Sequence, residues 1–276
     1  MAGPVDRRTF LKGLTGVLTL LSQDLRAASP GCRTTDSNQS DPGPPPETWA
    51  TIKAITNVFE VGRPEPDYAY VEALNDGRGF TVTHYGFCTY NDEVSSIIRR
   101  VAAARPGTPL QQFMPHLPAA DHDLARDPWP RFPEEWQKEA AEEPALAQAC
   151  EAEAEIRIVL PALCFAQKLK IRTPVGFAIF FDTVLQHGFA GDKDSFQAIA
   201  DRTVRSLPAK YSETDFLAKF LKVRRSVLLA PAQSDTKEAW AQAAGRVDAL
   251  RWILRHNPEL KRPVRVKNEW TDTLIR

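Results

Sequence analysis

The segment from Thr173 to Gly188 places apolar side chains on every side of a helix. Thr173-Pro174 is typical of a helix start, because threonine caps the first turn and proline fits the first helical position. Gly188 is typical of a helix end. The large apolar residues between these ends are Phe177, Ile179, Phe180, Phe181, Val184 and Leu185. A helix that is apolar all round is buried, so this segment predicts a body of helices around a central one.

Most of the remaining chain also carries helical periodicity. Further helices are predicted over residues 48–60, 92–101, 212–221 and 239–254, and from 144 onward with an interruption at Pro161. Residues 105–134 are rich in proline and lack periodicity, which predicts a long connection around the surface.

Strand-like alternation is convincing in one place only. It falls on Tyr68, Tyr70, Phe80 and Val82, on both sides of the turn-rich stretch 75–79. Together with the helices, this pattern predicts an α+β, mainly α fold, in which a small antiparallel hairpin or sheet is inserted into a two-lobed helical body.

The first thirty residues have the pattern of an export signal. Asp-Arg-Arg-Thr-Phe-Leu-Lys at 6–12 precedes a short apolar run at 13–22, as in a twin-arginine signal peptide. A run of about ten residues is half of what a membrane span needs, and no other segment is long and apolar enough, so no integral membrane span is expected. An ordinary amphipathic helix is the alternative interpretation of this segment.

We therefore expect a signal peptide over residues 1–31, export by the twin-arginine machinery and a periplasmic or extracellular location. Cleavage near Ala28 or Ser29 is favoured over lipid attachment at Cys32, because residues 29–32 are a poor lipid-attachment box. Residues 32–47 contain four prolines and predict a linker, and the folded domain is expected over 48–276.

Charge and cysteine content exclude several classes of protein. The chain has 35 Lys+Arg and 35 Asp+Glu, so nothing indicates a nucleic-acid partner. Residues 1–31 hold four of these basic and two of these acidic side chains, which leaves a net charge of −2 on the rest. Cys150 and Cys164 lie about 21 Å apart on a continuous helix, too far for a disulfide. Buried free thiols, no metal site, no cofactor and a monomer are expected.

Glu60 and Asp76 are the candidate pair for chemistry. Glu60 ends a predicted helix, and Asp76 lies on a glycine-flanked turn sixteen residues later. Glycosidic hydrolysis needs two carboxyl groups, one to protonate the leaving oxygen and one to activate water or attack. The spacing alone leaves a plainer interpretation open, in which Glu60 is a solvated helix end and Asp76 a turn residue that bonds its own backbone.

The residues around this pair closely resemble the catalytic segment of the glycoside hydrolase family 46 chitosanases. The matching stretches after Glu60 are Tyr68-x-Tyr70, Asp76-Gly77-Arg78-Gly79-Phe80-Thr81 and Gly86-Phe87-Cys88. Weaker matches follow at residues 181–188, 213–224 and 246–260. The resemblance spans roughly 52–266 and implies an inverting endo-hydrolase of chitosan, with a lysozyme-like two-lobed fold and the small sheet beside its cleft.

The resemblance also implies roles for individual residues. Glu60 would be the general acid, Asp76 the general base, and Thr81 would hold the attacking water. The residues with an implied role in substrate binding are Tyr70, Arg78, Asp92 and Glu93, the last two as acidic groups for the substrate amine. The residues with an implied supporting role are Asp182 and Arg224.

The surroundings of these groups can be anticipated in physical terms. Glu60 must stay protonated near neutrality, so it should have apolar neighbours such as Phe59 and Val58. Asp76 should stay ionised near a cation, which Arg78 or Arg224 could supply; Arg224 could equally couple to the acid or be a helix-surface charge.

Asp182 and His187 lie in the predicted central helix, and each has an expected role there. Asp182 lies within an apolar helix and should have a buried partner. His187 precedes the end of that helix, where we expect it to interact with the helix C-terminus rather than to catalyse.

One departure from the family pattern concerns the tuning of the acid. Leu160 stands where the family carries an acidic residue before Pro161-Ala162, so the ionic network behind the acid must be rebuilt or absent. Two alternatives to chitosan hydrolysis therefore stay open. One is a lysozyme-like hydrolase of another amino-sugar polymer such as peptidoglycan, and the other is a catalytically silent carbohydrate-binding protein.

Overall fold

The computed structural model describes residues 43–232 and 237–276. The predicted signal peptide and residues 32–42 of the predicted linker lie outside the described residues, and the last two linker residues, Pro46 and Glu47, already belong to the first helix. The α-helices are α1 (Pro46–Val61), α2 (Glu93–Ala104), α3 (Phe132–Glu142), α4 (Pro144–Ala154), α5 (Leu160–Lys168), α6 (Pro174–His187), α7 (Phe196–Arg205), α8 (Glu213–Leu229), α9 (Lys237–Gln242) and α10 (Ala244–His256). The strands are β1 (Val71–Ala73), β2 (Phe80–Val82), β3 (Phe87–Cys88), β4 (Val264–Lys267) and β5 (Asp272–Ile275). This composition confirms the α+β, mainly α class.

The chain forms two compact units, Pro66–Arg157 and the parts that precede and follow it. In the unit formed by the chain before Pro66 and after Arg157, α6 is central. Every residue from Val175 to His187 is buried, and α6 contacts α1, α5, α7, α8 and α10. The Thr173 side chain accepts a hydrogen bond from the Gly176 amide, and Gly188 ends the helix with φ 69°. The predicted central helix and both of its ends are therefore confirmed.

The same unit ends in an antiparallel hairpin that the sequence analysis missed. Strands β4 and β5 pair with Val264 opposite Ile275 and Lys267 opposite Asp272. Val264 and Val266 are buried while their neighbours are exposed. The prediction of a single sheet was therefore wrong. This hairpin was missed because β4 alternates over four residues only, two of them basic, and so short an alternation is a weak strand signal.

The unit Pro66–Arg157 contains a three-stranded antiparallel sheet in the order β1-β2-β3. Thr81 lies opposite both Glu72 and Cys88. The first strand begins at Val71, so Tyr68 and Tyr70 of the predicted alternation precede it.

Residues 105–134 are not a mere surface connection. They form 3₁₀-helices at Pro109–His116, Asp121–Asp123 and Trp129–Arg131. Phe113 and Trp129 are buried there and lie 5.5 Å apart between ring centroids. The expectation was wrong because prolines and three-residue turns remove the 3.6-residue periodicity by which a buried face is recognised.

The predicted break in the long helix after residue 144 is confirmed. A π-helical turn at Glu155–Val159 separates α4 from α5, and Pro161 lies in the first turn of α5. Cys88 and Cys150 are buried free thiols, as expected. Cys164 is disulfide-bonded, so the expectation of a free thiol was wrong there. The distance argument against a Cys150–Cys164 pair holds, since Cys150 is free, but it does not exclude another partner for Cys164.

Candidate active site

Glu60 lies in the last turn of α1, where the chain is about to leave the helix. Gly62 ends the helix in the left-handed region, with φ 73°, and its amide donates to the Val58 carbonyl. Val58 and Phe59 are buried, as predicted, and the Glu60 side chain is 11% exposed. Burial raises the pKa of the Glu60 carboxyl above its ordinary value, and Arg246 lowers it in part. The net direction favours the protonated form that a general acid needs.

Arg246 joins Glu60 to a second, fully buried carboxylate. Its Nη2 donates to Glu60 Oε1 at 2.7 Å and to Asp182 Oδ1 at 2.6 Å. Its guanidinium also lies over the Phe59 ring, with Cζ 5.2 Å from the centroid, a favourable cation–π arrangement. The sequence analysis gave Arg246 no role. The available signal was a cation between apolar positions of α10, beside Val247 and Leu250, but such a position does not reveal its partner.

Asp182 is the centre of this ion-pair network. Besides the Arg246 contact, Asp182 Oδ1 accepts from the Thr56 hydroxyl at 3.3 Å, and Arg224 Nη1 lies 2.7 Å from Asp182 Oδ2. Burial raises the pKa of Asp182, but the two arginines outweigh it, so the pKa lies below its ordinary value. The prediction of a buried partner is confirmed, and Asp182 is an anion between two cations.

Arg224 reaches Glu60 indirectly, through Asp182 and Arg246. It is fully buried, so the helix-surface interpretation was wrong. Its Nη2 donates to Gln186 Oε1, and its Nε donates to His187 Nε2 at 3.2 Å. Burial lowers the pKa of Arg224 to about 10, which leaves it charged near neutrality.

His187 is a neutral bridge rather than a charged group at the helix end. Burial, and then the Arg224 cation, lower the pKa of His187 well below its usual range. Since its Nε2 accepts from Arg224, its Nδ1 carries the proton and donates to the Asp194 carbonyl at 2.8 Å. The predicted electrostatic role at the helix C-terminus was therefore wrong.

The network behind Glu60 is present even though Leu160 is apolar. Leu160 is half-exposed at the start of α5 and belongs to none of these contacts. The carboxylate of the network is supplied by Asp182 from α6.

Asp76 lies on the turn between β1 and β2 and is held by Arg78. Asp76 Oδ1 accepts from the Arg78 amide at 3.1 Å, and Oδ2 accepts from Arg78 Nε and Nη2 at 2.9 and 2.6 Å. The predicted cation beside Asp76 is thus confirmed. Arg78 is buried while the Asp76 side chain is 24% exposed, so Arg78 orients this carboxylate. Contact between Arg78 and substrate stays a prediction.

The Asp76 turn is fixed by contacts that the sequence analysis did not find. Gly77 and Gly79 both have positive φ, and both amides donate to the Asp121 carboxylate, the second at 2.9 Å. A Cβ on Gly79 would lie 2.1 Å from Thr89 Oγ1, so this position requires glycine. Asp121 was missed because it lies in the aperiodic proline-rich segment.

Thr81 lies on β2, fully buried, with its hydroxyl 3.7 Å from Cys88 Sγ. Burial raises the pKa of the Cys88 thiol to about 12, so its partner is a neutral thiol. A role of Thr81 in holding the attacking water stays a prediction.

The implied substrate-binding residues lie at the start of α2 and next to β1. Glu93 Oε2 accepts from the Cys88 amide at 2.9 Å, and burial raises the pKa of Glu93. Asp92 is 70% exposed and pairs with Arg157 at 2.9 Å. The Tyr70 hydroxyl donates to Glu72 Oε2 at 3.0 Å. Their contacts with substrate stay predictions.

The carboxyl groups of Glu60 and Asp76 thus differ in their surroundings. Glu60 is nearly buried and its pKa is raised, whereas Asp76 is partly exposed and paired with Arg78. Such a contrast is how enzymes assign acid and base roles to two carboxyls. Within residues 43–232 and 237–276, no group of three or more His, Cys, Asp or Glu side chains is arranged to hold a metal ion.

Comparison with known proteins identifies the family. Residues 54–264 match the model of glycosyl hydrolase family 46. A chitosanase of Bacillus subtilis (strain 168) is 31% identical over 230 residues, which cover 80% of this chain and 83% of that protein. A chitosanase of Streptomyces sp. (strain N174) is 28% identical over 207 residues, 69% of this chain and 73% of the relative.

Similar solved structures support the same family. A family 46 chitosanase of Gynuella sunshinyii in complex with chitotetraose superposes with a TM-score of 0.74 at 28% identity, covering 84% of this chain and 99% of its own. A mutant chitosanase of Bacillus subtilis MY002, complexed with 6 GlcN, gives a TM-score of 0.77 at 28% identity, covering 85% and 100%. These neighbours have the lysozyme-like fold that the resemblance implies. The chain belongs to glycosyl hydrolase family 46.

Proposed function

We propose that this protein is an endo-acting, inverting chitosanase that hydrolyses β-1,4 linkages between D-glucosamine residues. The single observation that carries the proposal is family 46 membership. The environments of Glu60 and Asp76, which suit an acid and a base, support it. The similar proteins are named chitosanases, and two of the similar solved structures hold chitotetraose or glucosamine units.

In this mechanism Glu60 gives its proton to the leaving glycosidic oxygen as the bond to C1 breaks. Asp76 takes a proton from a water whose oxygen forms the new bond to C1 on the opposite face of the sugar. One proton enters the leaving group and one leaves the water, so charge and atoms balance. Thr81 helps to hold this water, and Asp92 and Glu93 attract the ammonium groups of the polymer.

The alternatives have no specific support in this chain. A silent carbohydrate-binding protein was suggested by the apolar Leu160, but the ion-pair network from Glu60 through Arg246 and Asp182 to Arg224 is intact. A peptidoglycan hydrolase would release reducing ends from cell-wall sacculi.

Reducing-end release separates these substrates. We expect release from chitosan and little from sacculi under the same conditions, with the Glu60→Gln variant as the blank for contaminating activity. Release from sacculi alone would exclude the proposal, and binding of glucosamine oligomers without any release would favour the silent protein.

The location and oligomeric state form a second part of the proposal. We infer that residues 1–31 direct export by the twin-arginine route to the periplasm or beyond, and that the enzyme acts as a monomer. The paired arginines and the short apolar run support export, and a double R7K/R8K variant should stay in the cytosolic fraction. Within the described part of the chain, no helix has both the length and the apolar character of a membrane span.

Replacing Arg246 by methionine is expected to move the alkaline limb of the kcat–pH profile to higher pH. Glu60 is an acid only while protonated, so kcat falls as the pH rises through its pKa. Burial raises this pKa, the Arg246 cation lowers it, and Asp182 raises it. Removing the cation therefore raises the pKa of Glu60 further.

Arg246→Lys is the matched control, because lysine keeps the positive charge. Its alkaline limb should move less than that of Arg246→Met. If the methionine variant is folded by circular dichroism and its alkaline limb stays in place, Glu60 is not the acid.

A further inference from the structure

Tyr90 is the exposed aromatic residue of the unit Pro66–Arg157. It is 48% exposed, whereas every other Phe, Tyr and Trp of this unit is buried or half-buried. Among the described residues no aromatic ring stacks on it. An isolated exposed ring is ordinary on a protein surface, so the surroundings of Tyr90 decide whether it has a use.

Hydrogen bonds of Tyr90 and of the preceding Thr89 fix the backbone that presents the Tyr90 ring. The Tyr90 amide donates to the Arg78 carbonyl at 3.1 Å, and Arg78 is the residue that holds Asp76. The preceding Thr89 is fully buried, accepts from the Ala119 amide at 2.8 Å through its carbonyl, and donates to the Ala119 carbonyl through its hydroxyl. The ring therefore projects from a preorganised loop, which lowers the entropy cost of binding a ligand.

Two carboxylates follow Tyr90, Asp92 in the same loop and Glu93 as the first residue of α2. The Asp92 side chain is 70% exposed and pairs with Arg157 Nη2 at 2.9 Å, and Glu93 is held by the Cys88 amide. Arg157 is only 13% exposed and also binds the buried Glu153, so it holds Asp92 in place.

Arg157 comes from the π-helical turn Glu155–Val159. Such turns occur frequently at functional sites. An exposed ring and an oriented acidic pair are thus built into one short segment.

This combination matches the chemistry of a glucosamine unit, which has an apolar face of C–H groups and one ammonium group. The face of a tyrosine ring attracts a cation within about 6 Å and offers apolar contact area. We propose that the ring of Tyr90 stacks on the glucosamine unit whose ammonium Asp92 and Glu93 attract, and so completes that subsite. Tyr90 is then a specificity-determining residue for a cationic polysaccharide, an inference that rests on the proposed function.

The test compares Tyr90→Ala with Tyr90→Phe, which keeps the ring. Steady-state kinetics on glucosamine hexamer should show KM raised about tenfold in Tyr90→Ala, with kcat within about twofold of the wild type. Tyr90→Phe should stay within about twofold in both constants. Tyr211→Ala is the matched control, because Tyr211 is also an exposed tyrosine but lies in the other unit. Unchanged thermal unfolding of Tyr90→Ala shows that the loss is local.

An unchanged KM in Tyr90→Ala overturns the inference while leaving the proposed function standing. An equal loss in Tyr90→Phe also overturns it, because the hydroxyl and not the ring would then matter. If the wild type does not hydrolyse chitosan, the proposed function fails, and the Kd of glucosamine hexamer decides the inference. Weaker hexamer binding by Tyr90→Ala than by the wild type then supports the subsite. Equal binding by the two proteins overturns it, and so does a wild type that does not bind the hexamer.

Discussion

Glu60→Gln and Asp76→Asn are each expected to lower kcat on chitosan by at least about 100-fold. Glutamine cannot give a proton to the leaving oxygen, and asparagine cannot take one from water. Both replacements keep the shape of the side chain, and Glu60 and Asp76 are more exposed than Asp182, so thermal unfolding should change less than in Asp182→Asn. Initial rates of reducing-end release on soluble chitosan measure the effect.

Matched controls use carboxylates of the same kind outside the site. Glu65→Gln and Asp127→Asn change exposed side chains, and Asp127 lies in the same unit as Asp76, where it pairs with the exposed Arg131. Both controls should retain wild-type kcat. Turnover near the wild-type value in either Glu60→Gln or Asp76→Asn would remove that residue from the mechanism.

Asp182→Asn is expected to lower the free energy of unfolding by about 3–5 kcal/mol. Asparagine has nearly the same shape but no charge, so Arg224 loses its ion-pair partner while it is fully buried. Arg246 keeps only Glu60. A buried cation without its counter-charge is costly, whereas the intact network compensates both guanidinium groups. Chemical denaturation followed by circular dichroism measures the change.

The control for Asp182 is the same replacement in an exposed ion pair. Asp272 pairs with Arg265 at 2.6 Å, and both side chains are about half-exposed, so Asp272→Asn should lower the free energy of unfolding far less than Asp182→Asn does. If Asp182→Asn costs no more than Asp272→Asn, the buried network does not stabilise the fold as described.

The central helix was predictable because its signals are local. Thr173-Pro174, Gly188 and an apolar surface all round lie within sixteen residues, and each signal has one physical interpretation. Glu60 and Asp76 were predictable for a different reason, since they came from the resemblance of the surrounding motifs and not from spacing.

The partners of these carboxylates could not be predicted, because they are distant in sequence. Arg246 is 186 residues from Glu60 along the chain, and no local pattern distinguishes it from Arg224 as the direct partner. Asp121 could not be predicted for a related reason. It accepts hydrogen bonds from the Gly77 and Gly79 amides, but it lies in a three-residue 3₁₀ turn, which is too short to show a periodic pattern of apolar residues. Sequence patterns identify elements and motifs, whereas long-range ion pairs follow only from packing.

The anomeric form of the first products tests the central claim most directly. Proton NMR of glucosamine hexamer, recorded in the first minutes of hydrolysis before mutarotation, reports the configuration at the new reducing end. Attack of water activated by Asp76 on the face opposite the leaving group predicts α products from a β bond. Initial β products would mean a retaining reaction and would contradict the role of Asp76 as general base.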